Sequence, residues 1–200
     1  MKTKDLSFPL HTVAAMVCLV CHRLAPTRLC PECRRGLRPA PEGLLAGGVR
    51  LVAGFEHSGP AKTLVHHLKY RGITGYADLV AALVVSQVPP VPLVPVPRAL
   101  TRRIRYGIDP GRVLARRLSR LTGSPVAPVL RSPLHARQRA GGDHRRQVAL
   151  FRIDGPVPPA VVLVDDVVTT GATLEAAIAT LGADRVLMAI AANAVTGARR

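Results

Sequence analysis

The most constraining feature of this 200-residue sequence is the segment VVLVDDVVTTGAT, which runs from residue 161 to residue 173. Four apolar residues stop at two adjacent aspartates, and a short Thr- and Gly-containing loop leads into the helical pattern TLEAAIATLG and a second apolar run, RVLMAIA. A strand, a helix and a strand in succession predict a right-handed parallel crossover. The expected fold class is therefore α/β, with a parallel sheet flanked by helices.

The segment between residues 49 and 123 supplies further elements for such a sheet. VRLVAGFE predicts a strand, GPAKTLVHHLKYRG and YADLVAALVVSQ predict helices, and residues 93–96 predict a strand with a proline-rich, irregular end. A third helix is predicted from Asp109 as N-cap to Gly123 as terminator. We expect its buried stripe to consist of Val113, Leu114, Leu118 and Leu121.

Length and hydropathy predict one main domain with a small appendage, because 48% hydrophobic residues in a chain of this length can bury one sizeable core. Residues 36–48 are rich in Pro and Gly and predict a linker, and residues 131–147 predict a long loop. No apolar run approaches the roughly 20 residues that cross a bilayer. Since Asp5 and Pro9 interrupt the apolar start of the chain, we expect a short docking helix of a cytoplasmic protein there.

The chain is strongly basic, with a formal net charge of +16. This charge favours polyanionic partners such as nucleic acid, phosphorylated metabolites or an anionic membrane surface. A bias of codon usage toward arginine is the alternative explanation. Aromatic residues make up only 3% of the chain and Trp is absent, which argues against a base-stacking platform.

All four cysteines lie in the window CLVCHRLAPTRLCPEC, as two Cys-x2-Cys pairs separated by eight residues. Two such pairs can offer four thiolates in the tetrahedral arrangement that suits structural zinc. Two disulfides, a redox pair or an iron–sulfur cluster are the alternatives, whereas His22 is expected to be a solvated loop residue. The expected zinc ligands are Cys18, Cys21, Cys30 and Cys33.

The two aspartates and the loop after them predict a ligand site, because ligands of parallel sheets bind at the carboxyl ends of the strands. Asp165 and Asp166 can accept hydrogen bonds from hydroxyl groups, and the loop 167–173 leads into a helix N-terminus that favours a phosphate. A ribose 5-phosphate matches this pattern. The segment lacks the Gly-Lys-Ser/Thr of a Walker A loop and the glycines of a dinucleotide fingerprint.

VVLVDDVVTTGAT is similar to the motif that binds 5-phosphoribosyl 1-pyrophosphate (PRPP) in type I phosphoribosyltransferases. Together with the four cysteines, the HHLKYRG segment and VPVPRALTRRIRYG, it resembles the ComF family, whose members are associated with competence and DNA uptake. The resemblance implies a zinc-binding module with an N-terminal helix over residues 1–40 and a phosphoribosyltransferase-like domain over residues 49–200. Residues 105–109 read RYGID where family members carry an R-G-F-N-Q-like stretch, and only Gln138 and Arg145-Arg146 suggest the family's flexible loop, which looks shortened.

The resemblance also implies roles for individual residues. Asp165 and Asp166 would contact the ribose hydroxyls, and Mg²⁺ would be held largely by the oxygens of PRPP itself. Lys69 and Arg71 would be further pyrophosphate contacts. The pyrophosphate loop would consist of Val96, Pro97 and Arg98, and the 5-phosphate loop of Thr169, Thr170, Gly171, Ala172 and Thr173.

Two functions from different classes follow from the resemblance. The first is a phosphoribosyltransferase that transfers phosphoribosyl to a nitrogen acceptor and releases pyrophosphate. The second is a PRPP-sensing protein that binds single-stranded DNA without turnover and acts with a DNA-uptake or helicase partner. A scaffold that binds neither ligand is the third, plain alternative.

Overall fold

The computed structural model describes residues 16–132 and 151–195. The chain divides into two compact units, one up to Gly36 and one from Leu37 onward. The division falls at the start of the linker predicted over residues 36–48. The predicted docking helix before residue 16, Gln138 and the Arg145-Arg146 pair lie outside the described residues, as does most of the predicted long loop.

The described part of the first unit is built around the cysteines. Strands β1 (Met16–Val17) and β2 (Leu24–Ala25) pair antiparallel, and helix α1 (Pro31–Arg35) follows. The Cys30 side chain caps α1 by accepting a hydrogen bond from the backbone NH of Cys33, and Pro31 occupies the first helical position. Cys18, Ala25, Cys30 and Cys33 are its buried residues, so this unit has almost no apolar core beyond its sulfur atoms.

The second unit contains a five-stranded sheet flanked by helices. The unit has seven strands among the described residues, five in this sheet and two in a separate pair. In chain order they are β3 (Gly43–Leu44), β4 (Arg50–Glu56), β5 (Leu93–Pro95), β6 (Leu130–Arg131), β7 (Arg152–Ile153), β8 (Val161–Val168) and β9 (Val186–Ala194). Its helices are α2 (Gly59–Tyr70), α3 (Gly75–Val84), α4 (Leu100–Tyr106), α5 (Pro110–Thr122) and α6 (Ala172–Leu181).

The sheet has the strand order β3-β4-β9-β8-β5. β4, β9, β8 and β5 are parallel to one another, whereas β3 pairs antiparallel with β4. The sheet is therefore mixed, not wholly parallel, because part of the predicted linker returns along the edge of β4. β6 and β7 form a separate antiparallel pair.

Both faces of the parallel strands are buried, as expected for strands that carry continuous apolar runs. Leu163 and Ala191 share one apolar cluster with Leu174 and Ile178 of α6. Val164, which faces the other way along β8, is also fully buried, and α3 and α5 pack against β4 and β8. The parallel β8–α6–β9 unit that the sequence predicts is present.

The helices predicted from Gly59, Tyr76, Asp109 and Thr173 are present, but α3 ends at Val84 and not at residue 87, and Val113 of α5, predicted as buried, is only partly buried. α5 begins after Asp109, whose side chain accepts from the backbone NH of Arg112, and ends at Gly123. Leu121, which the sequence placed in the buried stripe, is 55% exposed, and Ala115 is buried instead. Ala115 is buried in place of Leu121 because the buried residues Leu114, Ala115 and Leu118 lie on the face of α5 that packs against α3 and β8.

Helix α4 was not predicted. Its sequence, LTRRIRY, carries no apolar stripe, and none of its residues is buried. It ends at Gly107, whose left-handed φ of 66° is readily adopted by glycine. Among the described residues, no helix is both long enough and apolar enough to span a membrane.

Candidate functional site

The acidic pair lies where β8 extends beyond its neighbour β5. β5 pairs with β8 only as far as Val164, whose carbonyl accepts from the backbone NH of Val96 at 2.8 Å. On its other side β8 remains paired with β9 to Val168. The strand therefore continues through both aspartates, and the loop begins two residues later than the sequence indicated. Asp165 and Asp166 thus lie beyond the last residue of β8 that pairs with β5, at the carboxyl edge of the sheet.

Asp165 is the buried member of the pair, with a relative exposure of 9%. Its Oδ1 accepts a hydrogen bond from the backbone NH of Asp166 at 2.7 Å. Burial and the neighbouring Asp166 charge raise the pKa of Asp165 to about 8, against the opposing effects of that NH and of Lys69. A carboxyl whose pKa is raised by burial and by a neighbouring charge, at the carboxyl edge of a sheet, is a candidate functional group.

Asp166 is paired with Lys69, near the end of α2. The Nζ atom of Lys69 lies 3.0 Å from Asp166 Oδ1. Lys69 is thus brought to the acidic pair, where its ammonium group pairs with Asp166 and opposes the rise in the pKa of Asp165. Arg71 is exposed, and its backbone NH donates to the carbonyl of His67 at the end of α2.

The turn of Val96, Pro97 and Arg98 adjoins the same edge of the sheet. The Arg98 guanidinium donates to the Lys69 carbonyl at 2.9 Å and lies over two aromatic rings, 5.2 Å from the centre of Tyr70 and 4.9 Å from that of Tyr106. Such cation–π contacts contribute about 0.5–2 kcal/mol each. The Arg98 side chain therefore links the end of α2 to α4 and anchors the 96–98 turn against both helices.

Tyr70 and Tyr106 were not predicted as part of the site. Their ring centres are 4.8 Å apart, although 36 residues separate them in sequence. Arg98 lies over both rings, and Arg105 also lies 5.4 Å from the centre of Tyr106. The adjacency of Tyr70 to Lys69 was the available signal, but pairing with Tyr106 depends on the unpredicted α4.

Gly111, in the first turn of α5, lets that helix approach the acidic pair. A Cβ atom at this position would lie 3.1 Å from the carbonyl oxygens of Val96 and Val164, and 3.7 Å from the Cα of Asp165. Backbone atoms cannot move aside as a flexible side chain can. The N-terminus of α5 therefore packs directly on the ends of β5 and β8.

The Asp109 carboxylate joins the start of α5 to the 96–98 turn. Its two oxygens accept from the backbone NH groups of Arg98 and Arg112, both at 3.4 Å. Burial raises its pKa, and the hydrogen bonds from these NH groups act in the opposite direction. Asp109 was predicted as a helix cap, and the structure adds its bond to the turn.

The loop 169–173 forms a small cradle at the start of α6, lined by Asp165 and residues 167–174. Thr169, Thr170 and Thr173 are exposed around it. Gly171 is buried with φ 82°, and a Cβ there would lie 3.2 Å from Leu45 Cδ2. The Ala172 NH donates to Thr170 Oγ1 at 3.4 Å, and the N-cap Gly171 has no side chain to accept from the NH groups that follow it at the start of α6, which suit an oxyanion.

The four cysteines form a cluster that fits a tetrahedral metal. Their sulfur atoms all lie within 4.8 Å of one another, and those of Cys21 and Cys30 are 3.7 Å apart. Four sulfurs bound at about 2.3 Å from a central zinc would be about 3.8 Å apart. All four cysteines are free of disulfides. The arrangement can therefore hold a metal ion such as zinc.

Electrostatics within this cluster favour a bound cation. Backbone NH groups point at the sulfurs, with Cys30 NH donating to Cys18 Sγ at 3.5 Å. Although burial acts against ionisation, the hydrogen bonds from these NH groups lower the pKa of Cys18 to about 6. Burial and the neighbouring thiols raise the pKa of Cys33 to about 12. A cation bound between the four sulfurs would favour their thiolate forms.

A scan of family models and a search of curated proteins found no match to this chain. The geometry nevertheless brings most of the predicted ligand-site residues together. Asp165, Asp166, Lys69, the 96–98 turn and the 169–173 loop meet at the carboxyl edge of one sheet. This edge offers carboxylates, one partly buried ammonium group and a helix N-terminus for a ligand that carries both hydroxyl groups and an anion.

Proposed function

We propose that this chain is a PRPP-binding protein of the ComF family with a type I phosphoribosyltransferase-like domain. The observation that carries the proposal is the arrangement of the acidic pair between the 169–173 loop on one side and the 96–98 turn on the other. PRPP has hydroxyl groups between two phosphorylated ends. In the proposed pose the 169–173 loop faces the 5-phosphate, the acidic pair faces the ribose hydroxyls, and the 96–98 turn faces the pyrophosphate.

In this proposal each group at the edge has a role in holding PRPP. The carboxyl groups of Asp165 and Asp166 contact the ribose hydroxyls. The first turn of α6 and the threonines of the 169–173 loop donate to the 5-phosphate. Lys69 and the 96–98 turn lie on the side of the pyrophosphate, which is the leaving group.

Mg²⁺ fits this arrangement as a companion of PRPP. Lys69 already engages Asp166 Oδ1 and the Asp166 backbone NH engages Asp165 Oδ1, so few carboxylate oxygens remain for a metal. Mg²⁺ commonly takes most of its ligands from phosphates and water in such sites. When bound, it would neutralise charge on the pyrophosphate.

The corresponding reaction is displacement of pyrophosphate from C1 of the ribose by a nitrogen nucleophile. The bond from C1 to the pyrophosphate oxygen breaks, and a bond from C1 to nitrogen forms. The chain contributes by positioning the ribose on Asp165 and Asp166 and by holding the pyrophosphate near Lys69. The zinc cluster, with four sulfur ligands, has a structural role because it leaves no position for a substrate.

PRPP-responsive binding of single-stranded DNA is the second candidate function. It is favoured by the exposed guanidinium groups of Arg102 and Arg105 on α4, which follows the 96–98 turn, together with the charge of +16. Turnover separates the two candidates. The enzyme releases pyrophosphate when PRPP and an acceptor base are supplied, whereas the binder retains single-stranded DNA with a steep salt dependence and releases none.

A thermal-shift series tests PRPP binding. PRPP with Mg²⁺ should raise the melting temperature of the wild-type protein more than ribose 5-phosphate or pyrophosphate alone does. Asp165→Asn combined with Asp166→Asn should abolish the PRPP shift, and the control Asp184→Asn, an exposed carboxylate elsewhere, should retain it. Equal shifts in the wild type and the double variant would refute the site.

A further inference from the structure

Asn193, near the end of β9, is a fully buried polar residue with three defined partners. Its side-chain nitrogen lies 3.1 Å from the carbonyl oxygen of Ala61 and 3.2 Å from Nδ1 of His57. Its side-chain oxygen lies next to the Tyr76 hydroxyl. These contacts connect β9 to the loop before α2, to α2 itself and to α3.

The Ala61 carbonyl determines which way the Asn193 amide points. A backbone carbonyl only accepts hydrogen bonds, so the amide atom beside it must be the NH₂ group. The amide oxygen then faces Tyr76, whose hydroxyl donates to it. The second amide hydrogen is directed at His57 Nδ1.

This orientation fixes the protonation state of the His57 ring. A nitrogen that accepts a hydrogen bond from an amide carries no proton itself, so Nδ1 is the unprotonated nitrogen. The neutral ring must then carry its proton on Nε2, on the side away from Asn193. His57 is consequently a hydrogen-bond donor, and its only lone pair is already engaged.

His57 lies at the same sheet edge as the candidate site. Its backbone NH donates to the Ala194 carbonyl at 2.7 Å, and the Val195 NH donates to the Val168 carbonyl at 2.9 Å. The ends of β4, β9 and β8 are thereby aligned, and Val168 immediately precedes the 169–173 loop.

The charged groups around His57 are predominantly cationic. Burial, followed by Lys69 and Lys62 of α2, lowers the pKa of His57, and Asp166 of β8 acts in the opposite direction. An uncharged donor in this surrounding suits an anionic oxygen. The two lysines also disfavour a second proton on the ring, so the His57 imidazole stays uncharged near neutral pH.

We propose that His57 is a further ligand-binding residue of this edge, in which a neutral imidazole with a fixed tautomer donates from Nε2 to an anionic phosphoryl oxygen. The identity of the ligand as PRPP rests on the proposed function above. The fixed tautomer excludes a role for His57 as a general base, because Nδ1 is occupied by Asn193 and Nε2 already carries the proton. Asn193 and Tyr76 are positioning residues that act through this ring.

The tautomer can be measured without any ligand. Nitrogen-15 NMR at pH 7.5 should show the His57 ring, identified among the seven histidines by its loss in His57→Gln, entirely in the form with its proton on Nε2. A His57 signal with the proton on Nδ1, or with both nitrogens protonated at that pH, would contradict the proposal.

PRPP affinity tests the binding role by calorimetry at pH 7.5 with Mg²⁺. His57→Leu should weaken PRPP binding about tenfold or more, as expected for loss of a hydrogen bond to a charged group. His57→Gln, which retains a donor, should stay within about threefold of the wild type. The control Asp184→Asn replaces an exposed side chain elsewhere and should bind like the wild type.

Wild-type affinity in a folded His57→Leu variant would overturn the proposal, and so would equal losses in the leucine and glutamine variants. If the wild type itself does not bind PRPP, the proposed function fails and the ligand assigned to His57 falls with it. A PRPP-binding wild type with an unaffected His57→Leu variant leaves the proposed function intact and removes only the role of His57.

Discussion

The ammonium group of Lys69 lies 3.0 Å from the Asp166 carboxylate, and the two side chains are only 22% and 14% exposed. Partial burial makes this ion pair stronger than an ordinary surface pair, because solvent screens it less. It brings the end of α2 to the end of β8. One lysine thus offsets the charge of an acidic pair that adjoins a third carboxylate, Asp109.

Replacing Lys69 tests the importance of this pair. Lys69→Gln should lower the free energy of unfolding by about 1–3 kcal/mol, because Asp166 loses its partner in a partly buried place. It should also weaken PRPP binding about tenfold or more. Urea unfolding and calorimetry measure both effects. Arg120→Gln, which removes an exposed cation of α5, is the control and should change neither quantity appreciably.

The raised pKa of Asp165 predicts a pH dependence of stability. Its folded-state pKa of about 8 lies above the unfolded value near 4, so between these values only the folded state retains the proton. Stability should therefore fall as pH rises through this window, by at most about 1.4 kcal/mol per pH unit from this group. Asp165→Asn should flatten the profile in urea unfolding measured from pH 5 to pH 8. An unchanged slope in the variant would contradict the assignment.

Gly111 and Gly75 provide a matched pair of substitutions in the first turns of two helices. Gly111→Ala should destabilise the protein by about 1–3 kcal/mol, because the new methyl group meets the backbone carbonyls of Val96 and Val164. It should also reduce PRPP affinity by shifting α5 against Asp165. Gly75→Ala meets no atom within 4 Å and should be neutral or slightly stabilising. Equal melting temperatures for both variants would exclude the close approach of α5.

Removal of metal should affect the first unit selectively. The purified protein should contain one zinc per chain, and a strong chelator should increase hydrogen exchange over residues 16–36, where few apolar groups hold the fold. Exchange in the β8–β9 region should stay unchanged. Cys30→Ser should reproduce the effect without chelator. Protein that lacks metal and yet is fully protected over residues 16–36 would refute the zinc site.

The parts of the fold that the sequence predicts well are those with continuous apolar patterns. β8, α6 and β9 were recognisable because their burial is dictated by runs of Val, Leu, Ile and Ala. The edge strand β3 and helix α4 were not predicted, because two paired residues and an arginine-rich turn of helix carry no period. β3 forms by pairing with β4, which begins only a few residues later, whereas Tyr106 of α4 packs against Tyr70, 36 positions earlier in the sequence.

The candidate site likewise contains residues whose proximity the sequence predicts and residues whose proximity it does not. The acidic pair and the loop after it form one contiguous segment, so their adjacency is visible in the sequence. The contact between Tyr70 and Tyr106 spans 36 positions of the sequence, and the contact between His57 and Asn193 spans 136. Local patterns contain no information about those contacts.

Calorimetric titration of PRPP with Mg²⁺ into the 200-residue chain tests the proposed PRPP site most directly. Binding of one PRPP per chain is predicted, with affinity lost when Asp165→Asn and Asp166→Asn are combined and kept when the exposed Asp184 is changed to Asn. Ribose 5-phosphate should compete more weakly, since it lacks the pyrophosphate. Absence of any PRPP binding to folded wild-type protein, or undiminished binding by the double variant, would contradict the account.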